Sequence, residues 1–362
     1  YGCDPNLVTL AVDTLDAPVA QRFIDDPAVQ IIDFTGSPRY GGHLERTVTG
    51  KQLFTETAGI NSVVLESSED LMETATAIAR ATCLFSAQMC TSPQNIYVSA
   101  AGIQTASGHK SFDDVASALV AAIDRIANDP LIAAGIMGAV QAEQSCDIIH
   151  HLTECAAEAD GARILRQALP YIHPDYPQAR TMTPLVVSLP SGNAALYAQE
   201  HFGPVLFIIA ACDGATAVDE ACFLAREHGA ISSYLYSTDE AFIDAALDNY
   251  TRSGMNLSVN LHGGMWANFA AAYSDYHVTG LNPAGNACLT DLAFVANRFR
   301  IVQHRRPAPR TGSAAPAAFA TNLRGCRRHA GARPVVARGD TGEPAVAGGR
   351  TACAATGLFR AA

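Results

Sequence analysis

A carboxylate and a thiol, Glu56 and Cys90, stand 34 positions apart, and a glycine-bearing segment, Phe34-Thr35-Gly36-Ser37, precedes both. A cysteine thiolate is a soft nucleophile that can hold a carbon substrate covalently. A carboxylate beside it can act as a general base on water when burial brings its pKa toward neutral. Gly36 and Gly41 flank a turn that follows an apolar run. A helix start there would favour a phosphate through its unpaired N–H groups. Each signal alone has an ordinary alternative: a buried structural thiol, a surface carboxylate, a plain strand-to-helix turn. Together they supply, in this order, a turn that could hold a cofactor, a carboxylate and a thiol.

The elements that must position these groups read as a parallel α/β sheet. Residues 7–12 and 29–35 are apolar β-rich runs, with a helical stretch around 17–26 between them. Residues 52–55 read as a strand ending at Glu56, and Ser62–Leu65 as the next. Ser67 with Asp70 resembles a capping box that starts a helix over 71–85. That helix delivers Cys90 on the loop at its end, and Cys83 packs inside it. Residues 95–98, 183–187, 206–210, 232–236 and 256–261 read as strands; 112–128, 141–157, 215–228, 239–250 and 290–297 read as helices. The helix over 141–157 carries Cys146, His150, His151 and Cys155. The pairs 146/150 and 151/155 could each share a face, but they point in different directions and no CxxC accompanies them. A solvated helix face is the better reading, and no metal is expected.

A chain of 362 residues can form one large domain or two ordinary ones, and its 49% hydrophobic content with a single Trp points to an aliphatic core. The net charge of −11 argues against a nucleic-acid or anionic-membrane partner, which need a basic face. No apolar run approaches the ~18 residues of a membrane span. Ten scattered cysteines read as reduced thiols in the cytoplasm. The chain opens Tyr1-Gly2-Cys3-Asp4-Pro5, without Met and without a basic-then-apolar leader, which suggests an internal piece whose N-terminus lies upstream. From Pro307 the composition turns to Ala, Gly, Pro and Arg. Such a stretch cannot bury a core, so 307–362 is expected to be a disordered tail, read as an extension without function rather than a nucleic-acid-binding arm.

From about 7 to 303 the chain resembles the aldehyde dehydrogenase superfamily. Phe34-Thr35-Gly36-Ser37 with Gly41 is similar to the family's FTGS-x-x-x-G cofactor turn. Glu56-Thr57-Ala58-Gly59 is similar to its ELGG element, which carries the catalytic Glu, and Gln88-Met89-Cys90 to the Gln-x-Cys that ends in the nucleophile. Glu200-His201-Phe202-Gly203-Pro204-Val205 resembles the E-x-FGPV segment, whose Glu and Phe contact the nicotinamide ribose and ring. Three further stretches, beginning Gln88-Met89-Cys90-Thr91, Ser107-Gly108-His109-Lys110 and Ala293-Phe294-Val295-Ala296, resemble the bacterial branch associated with phenylacetic acid degradation. That branch oxidises a CoA-linked semialdehyde formed on ring opening. The chain departs from the pattern at Ile60, where a Lys is usual, although Asn61 fits the Asn that follows. Ser274-Asp275-Tyr276-His277 replaces a Phe-Gly-Gly segment. The first half of the cofactor domain, with its adenosine-ribose contacts and oxyanion Asn, has no counterpart.

The resemblance implies an α/β, aldehyde dehydrogenase-like fold. A truncated Rossmann-type cofactor domain (1–57) would precede a catalytic α/β domain (58–275) and a closing segment (276–306), with the site in the cleft between the domains. It implies that Cys90 attacks an aldehyde carbon, with the Cys90 backbone N–H helping to hold the oxyanion. Hydride would pass to NAD or NADP, and Glu56 would activate water to release the acid. Gly36, Ser37 and Gly41 would line the nicotinamide or pyrophosphate, with Glu200 on the ribose and Phe202 against the ring. The implied partners are a small-molecule aldehyde and further copies of the chain, as a dimer or tetramer. Two rivals stand beside this reading. One is a CoA-acylating relative, in which CoA takes the acyl group and Glu56 would not be needed. The other is a piece with no enzymatic role, which the absent first half and the odd tail favour.

Overall fold

Strands that are apolar along their whole length can bury both faces only in a parallel sheet covered by helices on each side. The computed structural model describes residues 4–14, 16–57, 59–263 and 278–288, and within them this arrangement holds. The elements in chain order are α1 (Ala20–Asp25), β1 (Ile31–Gly36), α2 (Pro38–Thr47), β2 (Gln52–Thr57), β3 (Ser62–Leu65), β4 (Ser67–Ser68), α3 (Leu71–Cys83) and β5 (Asn95–Ser99). There follow β6 (Ile103–Thr105), β7 (Gly108–Lys110), α4 (Phe112–Ala127), α5 (Pro130–Ile136), α6 (Glu143–Glu158), β8 (Arg163–Arg166), β9 (Leu185–Pro190) and α7 (Ala194–Tyr197). The last described are β10 (Val205–Ala211), α8 (Gly214–His228), β11 (Ser232–Tyr236), α9 (Glu240–Arg252) and β12 (Asn256–Val259).

The large sheet has the order β12-β11-β3-β5-β10-β9-β8, parallel except for the edge strand β8, which runs antiparallel to β9. Side chains alternate between its faces with period two, as a pleated strand requires. Val63, Leu65, Ile96, Val98, Leu206, Ile208, Tyr234 and Tyr236 pack on one face against α3 and α4. Val64, Tyr97, Phe207, Ile209 and Leu235 pack on the other against α6, α8 and α9. β1 and β2 form a separate parallel pair, and β4, β6 and β7 a small sheet of their own.

Several expectations need correction. Residues 8–12 form no strand; Leu10 is 85% exposed. Without a neighbouring strand a β-rich run has no ladder to join. Ser67 does not cap α3: Asp70 does, accepting from the N–H groups of Met72 and Glu73, while Ser67 and Ser68 are drawn into β4. The capping box of this region lies instead at Ser111 and Asp114, ahead of α4. The strand β8 and the hairpin β6–β7 were not legible, being short and half exposed. The expected helix over 290–297, the Ser274–His277 substitution, the tail over 307–362 and most of the closing segment lie outside the described residues.

Candidate active site

The candidate residues of the large sheet, and the residues that brace them, stand at its amino edge. Asn61 precedes β3, Cys90 and Gln94 precede β5, Glu200 and Phe202 precede β10, and Ile231 precedes β11. An open α/β sheet ordinarily binds ligands at its carboxyl edge, so the cleft is turned the other way here. The facing layer explains why. β1 and β2 present their own carboxyl ends, Gly36 and Thr57, together with the start of α2, toward that amino edge. Gly36 and Thr57 are partners across the β1–β2 ladder, as are Thr35 and Glu56, so the glycine turn and the carboxylate are side by side.

The approach of the two layers depends on Gly59. A Cβ there would fall 2.3 Å from the Gly229 carbonyl oxygen. The close backbone contact lets the Ile60 N–H donate to that same oxygen at 2.8 Å. Asn61 follows, 1% exposed. Its Nδ2 donates to the carbonyls of Cys90 (2.7 Å) and Ser92 (3.1 Å), and its Oδ1 accepts from the N–H groups of Ile231 and Ser232, both at 3.0 Å. The carbonyl between them, Thr91, accepts from the Ser232 and Tyr234 hydroxyls. Three successive carbonyls of the cysteine loop are thus fixed into the protein.

α3 returns the chain from the carboxyl to the amino edge and ends seven residues before Cys90. Phe85, Ser86 and Ala87 then adopt left-handed backbone, with φ of 50°, 55° and 54°. Non-glycine residues pay about 1 kcal/mol or more each for that conformation, and the turn is tied down in return. The Ser86 hydroxyl donates to the Gly138 carbonyl at 2.7 Å. Gln88 donates to the Phe85 and Ala139 carbonyls and accepts from the Gln141 N–H. The Gln of Gln88-Met89-Cys90 is therefore a brace for the loop. On the far side of Cys90, the buried Gln94 donates to the carbonyls of Tyr197 and Gln199 and accepts from the His201 N–H at 2.7 Å. It ties the cysteine strand to the Glu200–Phe202 segment.

Glu56, Glu200 and Cys90 share one electrostatic environment. Burial first, then the Glu56 and Glu200 carboxylates, push the Cys90 thiol up to about 12 against the downward pull of the backbone N–H groups of Cys90 and Thr91. The sulfur is accordingly held as a thiol near neutral pH, whereas the sequence reading starts from a thiolate. Burial also lifts the Glu200 carboxyl to about 7 and lowers His201. Glu200, Phe202 and Gly203 line one pocket with Ala87, Met89 and Asn61; the Phe202 ring is 42% exposed.

Ser37 caps α2 by accepting from the Tyr40 N–H. The space that a Cβ would need at Gly36 is filled by the Phe34 ring, and at Gly41 by Thr57 and Phe34. Gly41 therefore lets α2 pack closely on β1 and β2, and Gly36 leaves room for the Phe34 ring. On α6, Cys146 is buried and His151 lies 3.5 Å from the Cys155 sulfur; among the described residues no three His, Cys, Asp or Glu groups converge on a metal position. Cys83 is fully buried. Gln94, Asn282 and Asn286 escaped the sequence reading. Their only trace is a polar amide beside a strand start or in a Gly/Asn/Pro loop.

The family profile described as the aldehyde dehydrogenase family matches residues 2–261. The chain is 44% identical to an NAD-dependent aldehyde dehydrogenase of Burkholderia multivorans, with a TM-score of 0.75 over 81% of this chain and 51% of that one. A mutant aldehyde dehydrogenase of Pseudomonas syringae, solved with NAD+ and octanal, is 18% identical with a TM-score of 0.57, covering 76% of this chain and 52% of that one; it shares the fold. A Saccharomyces cerevisiae protein described as aldehyde dehydrogenase-like is 26% identical over 222 residues, 58% of this chain and 32% of that protein. The chain thus spans about half the length of the solved relatives and about a third of the yeast protein.

Proposed function

This chain belongs to the aldehyde dehydrogenase family, and from that premise we propose that it carries the catalytic centre of an enzyme oxidising an aldehyde to a carboxylic acid with NAD or NADP. The observation that carries the reading is the convergence on Cys90: its thiol feels the charges of both Glu56 and Glu200. Glu56 is the carboxylate with the larger influence on the thiol, so it is placed to take the Cys90 proton. The sulfur attacks the aldehyde carbon, forming a C–S bond and an oxyanion. The carbonyls of residues 90–92 are bonded by Asn61, Ser232 and Tyr234, and the Cys90 N–H can donate to that oxyanion. A nicotinamide, when bound, would supply the hydride acceptor, and the substrate carbon would then be held on Cys90 as a thioester. Glu56, having passed the thiol proton to solvent, then removes a proton from water, which attacks the thioester; the C–S bond breaks, freeing the acid and the Cys90 sulfur.

The residues present fit the cofactor. The α2 N-terminus with Ser37 can receive a phosphate, the Glu200 carboxyl can bond ribose hydroxyls, and the exposed Phe202 ring offers a stacking face. The Burkholderia relative is described as NAD-dependent, which supports NAD. For the finer assignment we propose a CoA-linked semialdehyde from aromatic ring opening in a bacterial cytoplasm. It is supported by the likeness of Gln88–Asn95 and Ser107–Phe112 to the phenylacetic acid degradation branch. In this reading residues 1–57 belong to the cofactor domain and 58–275 to the catalytic domain, and the assembled protein is a dimer or tetramer. No described helix is long and apolar enough to cross a membrane.

The test is aldehyde-dependent formation of NADH or NADPH, with Cys90→Ala beside it. Signal that disappears in the variant supports the reading. Signal that persists in Cys90→Ala overturns it. Turnover that requires free CoA and is unchanged in Glu56→Gln would favour acyl transfer to CoA instead.

A further inference from the structure

β2 carries Glu56, pairs with β1 on one side, and on its other edge is covered by residues 283–286, which lie more than 190 positions beyond Cys90. We propose that Asn286 is a positioning residue that holds the Glu56 carboxylate beside the Cys90 thiol, an inference that rests on the roles given to those two residues above.

The contacts are specific to the strand around Glu56. Glu56 and Gly285 form an antiparallel bridge. The Thr57 N–H donates to the Ala284 carbonyl at 2.6 Å, and the Asn286 N–H donates to the Thr55 carbonyl at 3.1 Å. The Asn286 side chain then acts as one more rung of a sheet. Its Oδ1 accepts from the Thr55 N–H at 2.9 Å, and its Nδ2 donates to the Leu53 carbonyl at 3.1 Å. A side-chain amide has the donor and acceptor of a peptide group, so it can extend a ladder where no strand continues.

The same segment is anchored to the layer that holds the cysteine. Asn282 donates to the carbonyls of Ala230, Ser253 and Gly254. Val278 and Ala284 pack with Ile231, and Cys90 rests against that cluster. The approach is tight enough to need glycine: a Cβ at Gly285 would lie 2.3 Å from Val278 Cγ1 and 2.9 Å from the Thr55 carbonyl oxygen. One end of the segment therefore grips the wall beside Cys90 and the other grips β2 on both sides of Glu56. The separation of the two catalytic groups is set by this bridge as well as by the chain between them.

The test uses the thiol itself, so it needs neither cofactor nor turnover. The rate of iodoacetamide alkylation at Cys90 is followed by peptide mass at pH 8, in the full chain and in Asn286→Ala, each with Glu56 and with Glu56→Gln. When the Glu56 carboxylate is no longer held against the sulfur, the thiol ionises more readily. Asn286→Ala is expected to speed alkylation roughly threefold to tenfold, the range that modest hydrogen bonds set. In the Glu56→Gln background it should change the rate little, because the two substitutions remove the same interaction. Equal acceleration in both backgrounds, or none in either, overturns the proposal. Should Asn286→Ala not fold, Asn286→Asp decides the matter: it keeps the acceptor for Thr55, loses the donor to Leu53, and must show the same dependence on Glu56. Absence of dehydrogenase activity alongside intact coupling would count against the proposed reaction and leave the positioning role standing.

Discussion

Asn61→Ala should cost this fold about 4 kcal/mol. Four hydrogen bonds end on the Asn61 amide, two given to the Cys90 and Ser92 carbonyls and two taken from the Ile231 and Ser232 N–H groups. Alanine removes all four. A buried hydrogen bond contributes about 1 kcal/mol net, and a buried group left without a partner costs about 1–3 kcal/mol. Asn61 is 1% exposed, so water cannot easily replace the amide. The two N–H groups start β11 and the two carbonyls fix the cysteine loop, so the loss reaches both. Against a typical total of 5–15 kcal/mol this is severe. In equilibrium urea unfolding the midpoint should fall by more than about 1 M with little change in slope. Cys90 should also alkylate faster in the folded variant, because its loop is no longer held. A loss below about 1 kcal/mol would refute the reasoning, since it would mean that water or a relaxed loop satisfies those four groups.

Glu200→Gln should stabilise the protein above neutral pH. The Glu200 carboxyl is raised from an ordinary 4.5 to about 7 by burial, so ionising it is easier in the unfolded chain. Its contribution is fully present below 4.5 and is lost as pH rises through about 7, up to about 3 kcal/mol before allowance for its partial exposure. The melting temperature of the variant minus that of the wild type should therefore climb between pH 4 and pH 8; a flat difference would contradict this. Gly59→Ala would drive a Cβ to 2.3 Å from the Gly229 carbonyl oxygen and 2.8 Å from the Ala230 nitrogen. Both are backbone atoms that cannot swing aside, so a cost of about 1–3 kcal/mol is expected, and an unchanged thermal melt would show that the layers are looser than described.

Much of this protein is determined by local pattern. Runs such as Val205–Ala211 and Ser62–Leu65 are apolar on both faces, and only a parallel sheet between helix layers can bury them, so the α/β class was legible. Ser37 capping α2 and Glu56 at the end of β2 follow from residues within one turn or one strand of each other. Cys90, Glu56 and Glu200 were singled out because their motifs are short and contiguous. What the tertiary structure decided is non-local. The site lies at the amino edge of the large sheet because β1, β2 and α2 face that edge, and no periodicity in the chain encodes which edge they meet. Asn61, Gln94 and Asn286 act mainly through hydrogen bonds to groups between 29 and 233 positions away. An amide in a sequence shows nothing of the carbonyl it will meet. The thiol character of Cys90 likewise arises from burial and two carboxylates brought together by folding, which a residue type and a spacing cannot report.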